Sequence, residues 1–144
     1  MKIVAEWQFW AAGSACFAAL TAIFGKIGVE TIDSNFATLI RTVFILGVLV
    51  VIVVGTHAWQ APATVSRKTW LFLLLSGLAT GASWLCYYRA LKLGPASGVA
   101  PIDKMSVVLV AVFGFVLLGE KLAVRNWVGV AMIAVGAILV AARS

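Results

Sequence analysis

Five ionisable side chains stand inside or at the ends of long apolar stretches: Lys26, Arg41, Arg89, Asp103 and Lys104. A charge at bilayer depth costs about 2.5 to 3.5 kcal/mol on insertion scales, so each of them requires an account. Asp103 has the chemistry to release and take up a proton as a cationic neighbour moves nearer or farther. Arg41 and Lys104 have the chemistry to hold a carboxylate or another anionic group. Together Asp103, Lys104 and Arg41 are the candidate substrate or ion pathway. The plainer account is that Lys26 and Arg89 extend their stems to reach the headgroups while Asp103 is only a counter-ion for Arg41 or Lys104. Lys26 and Arg89 are therefore supporting residues.

A second pattern runs from residue 76 to residue 88. Ser76, Thr80, Ser83 and Tyr87 recur at alternating four- and three-residue spacing, which places their hydroxyls on one face of a helix. Gly77, Gly81, Trp84 and Tyr88 occupy the adjacent face, where the glycines permit close helix approach and the aromatics widen the gap. Beside the charged residues, this hydroxyl face with Trp84 fits the wall of a polar cavity. It equally fits bonding to the backbones of neighbouring helices. Ser14, Ala18, Thr21 and Gly25 form a weaker small-residue stripe, for which helix packing is the expected role.

The elements that position these residues follow from composition. The 144-residue chain is 63% hydrophobic and only 11% charged, with a mean hydropathy of +1.09. Such values lie outside the range of water-soluble domains. Apolar blocks fall at about 7–28, 34–55, 69–91, 97–118 and 126–142, each near the length a bilayer requires. Backbone groups in hydrocarbon must bond within their own segment, so the expected fold is an all-α membrane protein with five transmembrane helices. One membrane domain spanning 1–144 is expected. The first block follows Glu6 and is followed by Lys26 rather than a small-residue cleavage site, so it is expected to persist as a span.

Short connections, including the Gly94-Pro95 turn, imply antiparallel neighbours. The longest, 56–68, holds His57, expected to be a solvated loop residue, with Trp59 and Trp70 at headgroup level. Five spans place the chain ends on opposite sides. Lys2, Arg67, Lys68, Lys121 and Arg125 then fall on one side, and Lys26, Arg89, Lys92 and Arg143 on the other, with Arg41 and Lys104 nearer the second. This near balance gives no orientation and suits either a fixed topology set by other features or insertion both ways round.

Several chemistries have no support. No Gly-rich phosphate loop, no Cys or His cluster for a metal, and no nucleophile grouped with a histidine and an acid occurs; His57 is the single histidine. No cofactor, no metal and no enzymatic role are expected. The net charge of +6 is scattered between apolar blocks rather than gathered in a stripe, which argues against nucleic acid and for topology signals and phospholipid contacts. Cys16 and Cys86 lie inside apolar blocks and are expected to pack.

The run ALKLGPASGVAPIDKMSVVLVAVFGFVLLGEKL, followed by NWVGVAMIAVGAILV, resembles an EamA domain of the drug/metabolite transporter superfamily. AALTAIFGKIG and TLIRTVFILGVL extend the resemblance to the first two spans, placing Lys26 and Arg41 where such domains often carry basic residues. The chain departs from the common pattern at Asp103-Lys104, where many relatives are apolar, and resembles the short, single-unit prokaryotic branch. It differs from the four-helix multidrug branch, whose first-span glutamate has no counterpart between Trp7 and Gly25. The resemblance implies one unit of an inverted repeat in the plasma (inner) membrane of a prokaryote. It implies pairing as a homodimer, antiparallel or parallel, or as a heteromer with another half-size unit.

These features lead to a secondary-active transporter of a small metabolite or drug-like solute. Asp103 is its candidate coupling acid, with Lys104 and Arg41 for charge and Ser76, Thr80, Ser83, Trp84 and Tyr87 lining the path. Glu120, in the GE turn of the resemblance, is expected to form an interfacial ion pair with Lys121, a structural role. The rival is a non-transporting accessory or assembly subunit whose charges specify helix pairing; a lipid-modifying membrane enzyme is a third class.

Overall fold

A computed structural model of the chain describes residues 6–142. Lys2 and Arg143, which enter the charge comparison, lie outside the described residues. Six α-helices follow in order: α1 Glu6–Gly28, α2 Ser34–Gly55, α3 Arg67–Leu93, α4 Ala96–Asp103, α5 Ser106–Leu118 and α6 Val124–Ala141, with one 3-10 turn at Pro62–Thr64. No strand occurs among the described residues. Five segments are long and apolar enough to cross a bilayer, α4 and α5 together forming the fourth, Ala96–Leu118. The protein is all-α and multi-pass.

Helix ends carry local signals that the sequence contains. Asp33 is the N-cap of α2, its carboxylate accepting from the backbone N–H of Asn35 at 2.8 Å and of Phe36 at 3.3 Å. Those two bonds hold its pKa below the ordinary carboxylate value, helped by the nearby positive charges of Lys92 and Arg89. Ser66 plays the same part for α3, accepting from the Thr69 N–H at 3.1 Å. At the far end of α2, His57 adopts the left-handed conformation (φ 53°) while its N–H and that of Ala58 close on the carbonyls of Val54 and Val53.

The fourth span is not a uniform α-helix. Pro101 has no N–H to offer the Ser97 carbonyl, and a turn later the chain tightens. Met105 bonds Ile102, Val107 bonds Lys104 and Val108 bonds Met105, all at the three-residue spacing of a 3-10 turn. The uninterrupted block expected from residue 97 to 118 thus has a joint at Lys104 and Met105, next to its ion pair.

The chain divides into two compact units. One holds the chain up to Ile27 and from Leu93 onward, hence most of α1 with α4, α5 and α6. Here α4 and α5 both pack on α6. Its buried positions are Ala22, Gly25, Gly98, Gly114 and Ala137, all small. Small residues let helix backbones approach where lipid removes any hydrophobic drive to associate. Phe115 and Trp127 add an edge-to-face contact at 6.1 Å between α5 and α6.

The second unit runs from Gly28 to Lys92 and contains α2 and α3. Val29, Ser34, Ala37, Thr38, Tyr88 and Leu91 are buried, marking the first turns of α2 and the last turns of α3. Large apolar residues elsewhere on both helices, such as Phe44, Val51, Phe72 and Leu78, are exposed. For a membrane span this is the surface that hydrocarbon covers, not a defect of packing.

Candidate functional site

Within the second unit the Arg41 guanidinium lies over the Trp84 ring, 4.0 Å from its centroid, and 5.4 Å from that of Tyr88. Arg41 stands two turns into α2, while Trp84 and Tyr88 are one turn apart on α3, so one guanidinium bridges the helices by its face. Tyr87 meets Tyr88 edge to face at 6.4 Å. The Arg41 Nη1 atom is enclosed and has no hydrogen-bond partner among the described residues, and no carboxylate there reaches Arg41 within salt-bridge distance. A desolvated cation–π contact is worth about 2 kcal/mol. That offsets much of the roughly 2.5 to 3.5 kcal/mol of burying the charge, but an unmade bond of an enclosed donor costs about 1 to 3 kcal/mol more. The rings therefore hold the cation without satisfying its edge.

The ends of α2 and α3 are fastened near this cluster. Lys92 donates to the Ile32 carbonyl, and Thr38 and Thr42 turn their hydroxyls back onto the carbonyls of Ser34 and Thr38 at 2.8 and 2.7 Å. Such back-bonded hydroxyls are self-sufficient in hydrocarbon. Ser76, Thr80 and Ser83 differ: they are exposed on α3 and their hydroxyls make no hydrogen bond among the described residues. No described atom lies within 4 Å of a Cβ placed on Gly77 or Gly81 either. The close helix approach expected there does not occur among the described residues.

In the other unit Lys104 Nζ lies 3.3 Å from the Asp103 carboxylate; Asp103 is half-buried and Lys104 exposed. The two neighbours pair with each other at the joint between α4 and α5. Lys26 is half-buried and donates to the Gly94 carbonyl at 3.0 Å, tying the end of α1 to the turn before α4. It fastens backbone. Arg89 is exposed.

Glu120 and Lys121 do not pair. The Glu120 N–H closes on the Gly114 carbonyl at 3.0 Å, Gly119 sits at φ 68°, and the Glu120 carboxylate folds back over Gly114, where a built Cβ would come within 2.7 Å of Oε2. The GE turn is thus a helix C-cap, and its carboxylate lies along α5 instead of facing Lys121. No group of three or more His, Cys, Asp or Glu able to hold a metal occurs among the described residues.

The sequence singles out Arg41 and Trp84 separately, and the structure brings them together with Tyr88, whose spacing alone marks it only as an aromatic that widens a helix gap. The i, i+4 spacing of Trp84 and Tyr88 opposite a lone arginine was the available signal.

Comparisons with known proteins agree with this architecture. The model of the EamA-like transporter family matches residues 5–142. A Sinorhizobium protein, named as an uncharacterized transporter in the cobO 3′ region, is 64% identical over 136 residues, covering 94% of this chain and 96% of the relative. Proteins of Hamiltonella defensa and Proteus mirabilis, each named as a probable 4-amino-4-deoxy-L-arabinose-phosphoundecaprenol flippase subunit ArnE, are both 28% identical. They match over 85 and 88 residues, covering 59% and 60% of this chain and 75% and 78% of the relatives. No solved structure matches. With five helices able to span a bilayer and a family match over nearly its whole length, the chain belongs to the EamA-like transporter family.

Proposed function

We propose that this chain is half of a secondary-active transporter for a small solute in the plasma membrane of a prokaryote, working as a pair of five-helix units. The observation that carries this reading is the 3-10 turn that interrupts the α-helical pattern of the fourth span, with the Asp103–Lys104 ion pair at the joint. A 3-10 turn in the middle of a helix often marks a functional hinge, and here backbone hydrogen bonds continue through the turn, so the span has a bend point rather than an unwound segment. A salt bridge at such a joint changes strength as the joint moves. Asp103 is then the coupling acid and Lys104 the cation that modulates it. The unbonded hydroxyls of Ser76, Thr80 and Ser83 favour a polar surface completed by a second unit.

That second unit is either another copy of this chain or a different half-size chain. The names of the flippase-subunit relatives favour the second arrangement, and with it the alternative that this chain is an accessory subunit whose charges serve assembly. Proteoliposomes containing a pH-sensitive dye, challenged with a panel of anionic and zwitterionic metabolites, separate the two. A transporter dissipates an imposed proton gradient with at least one panel member, and Asp103→Asn abolishes this while leaving the oligomer intact on a native gel. Absence of flux with every solute, together with loss of the oligomer in Asp103→Asn, establishes the accessory role instead.

A further inference from the structure

We infer that Arg41 is the recognition point for an oxyanion, a phosphate or carboxylate group, held at the edge of a guanidinium whose face is already taken by Trp84 and Tyr88. This rests on the transporter reading only for its purpose; the binding itself stands on the geometry of α2 and α3.

A guanidinium has two kinds of surface. Its faces accept aromatic rings, and its rim carries five N–H donors in a rigid fork matched to planar or tetrahedral oxyanions. In this protein the face is engaged, at 4.0 Å from the Trp84 centroid and 5.4 Å from that of Tyr88, whereas the rim makes no hydrogen bond among the described residues: Nη1 is enclosed and unpartnered, and the remaining donors of this half-buried residue are left reachable. Neither acid of the same unit forms an ion pair with Arg41. Asp33 is committed to the N-terminal turn of α2, and Glu30 is exposed with no ion pair. The hydroxyls that would be natural neutral partners on α2, Thr38 and Thr42, are turned back onto their own helix. A permanent cation at bilayer depth, fixed in orientation by two rings and lacking a counter-ion among the described residues, is arranged to be completed by a ligand. Lys92 is not an equivalent site, because its ammonium already has a backbone partner in the Ile32 carbonyl, which Arg41 lacks.

The oxyanion has two sources, a transported solute or the headgroup of a membrane phospholipid. The test uses the full-length protein in nanodiscs of phosphatidylcholine, with radiolabelled dodecyl phosphate as probe and empty nanodiscs as the partition control. Arg41→Gln is expected to weaken saturable binding by roughly tenfold or more, the scale of one charge-assisted bond pair. Arg41→Lys should bind severalfold more weakly than wild type, since an ammonium keeps the charge and loses the fork. If phosphatidylglycerol in the nanodisc displaces the probe, the site is a lipid headgroup site; if it does not, the site belongs to a solute. Equal saturable binding by wild type and Arg41→Gln overturns the inference. Should Arg41→Gln fail to fold, the wild-type melting midpoint decides: it must rise with dodecyl phosphate and not with dodecyltrimethylammonium, and an equal response to both overturns the inference. Because the binding assay needs no sealed compartment, failure of flux leaves this result standing, and failure of binding leaves the proton-gradient result standing.

Discussion

At Gly119 the backbone takes φ 68°, a conformation that costs an ordinary L residue about 1 to 2 kcal/mol, while at Gly114 the backbone is helical and the constraint is steric. The obstacle at Gly114 is the end of the flexible Glu120 side chain, which can swing aside. The two glycines of one turn should therefore differ. Gly119→Ala is expected to destabilise by about 1 to 2 kcal/mol, and Gly114→Ala by less, with Gly119→Asn between them because asparagine tolerates the left-handed region. Thermal unfolding in detergent checks the order. Arg41 shows the same division between what a residue type announces and what its neighbours decide. Its charge inside an apolar block was legible at once, but the bond it lacks is a property of Trp84 and Tyr88 reaching it across two helices.

At the scale of the element, α2 begins where Asp33 caps it, and the carboxylate is held below its ordinary pKa first by the Asn35 and Phe36 N–H groups. A group with a depressed folded pKa contributes stability above its unfolded pKa and loses it as the pH falls through the folded value. Asp33→Ala should lower the unfolding midpoint at neutral pH, and Asp33→Asn, which can still cap, should lower it less while removing the acid-dependent part. Melting curves from neutral to strongly acid pH distinguish the three proteins; identical acid dependence in wild type and Asp33→Asn would refute the capping role. The apolar blocks place the starts of these helices at about 34 and 69, and the caps at Asp33 and Ser66, which act through side chain and backbone a few residues apart, fix them at Ser34 and Arg67. The joint in the fourth span was not legible in this way. Pro101 signals a lost bond, whereas the 3-10 turn at Lys104 and Met105 depends on how α4 and α5 both settle on α6.

At the scale of the whole molecule the near balance of basic residues on the two sides is what an inserted pair of opposite orientation would need. Placing one cysteine by Ala63→Cys, in the exposed connection before α3, requires Cys16 and Cys86 to be replaced first, since both are exposed thiols. Impermeant labelling of intact cells should then modify about half of the molecules if the pair is antiparallel and self-made. Labelling of all or none would point to a heteromeric partner. Such a pair would also cover the part of α3 around Ser76, Gly77, Thr80 and Gly81, which has no packing neighbour among the described residues.

The membrane environment, the number of spans and the family were determined by the sequence alone, because bilayer thickness imposes a length on every apolar block and hydrocarbon forces each block to be helical. The charged residues that need explanation were equally visible, since a charge inside such a block is costly wherever it sits. What only the tertiary structure decided was which partner each one has: Lys26 the Gly94 carbonyl, Asp103 its neighbour Lys104, Glu120 a place over Gly114, and Arg41 two aromatic faces with an enclosed Nη1 left unpaired. Partnership depends on which turns of separate helices meet. Hydropathy, which constrains depth but not rotation or register, carries no information about that.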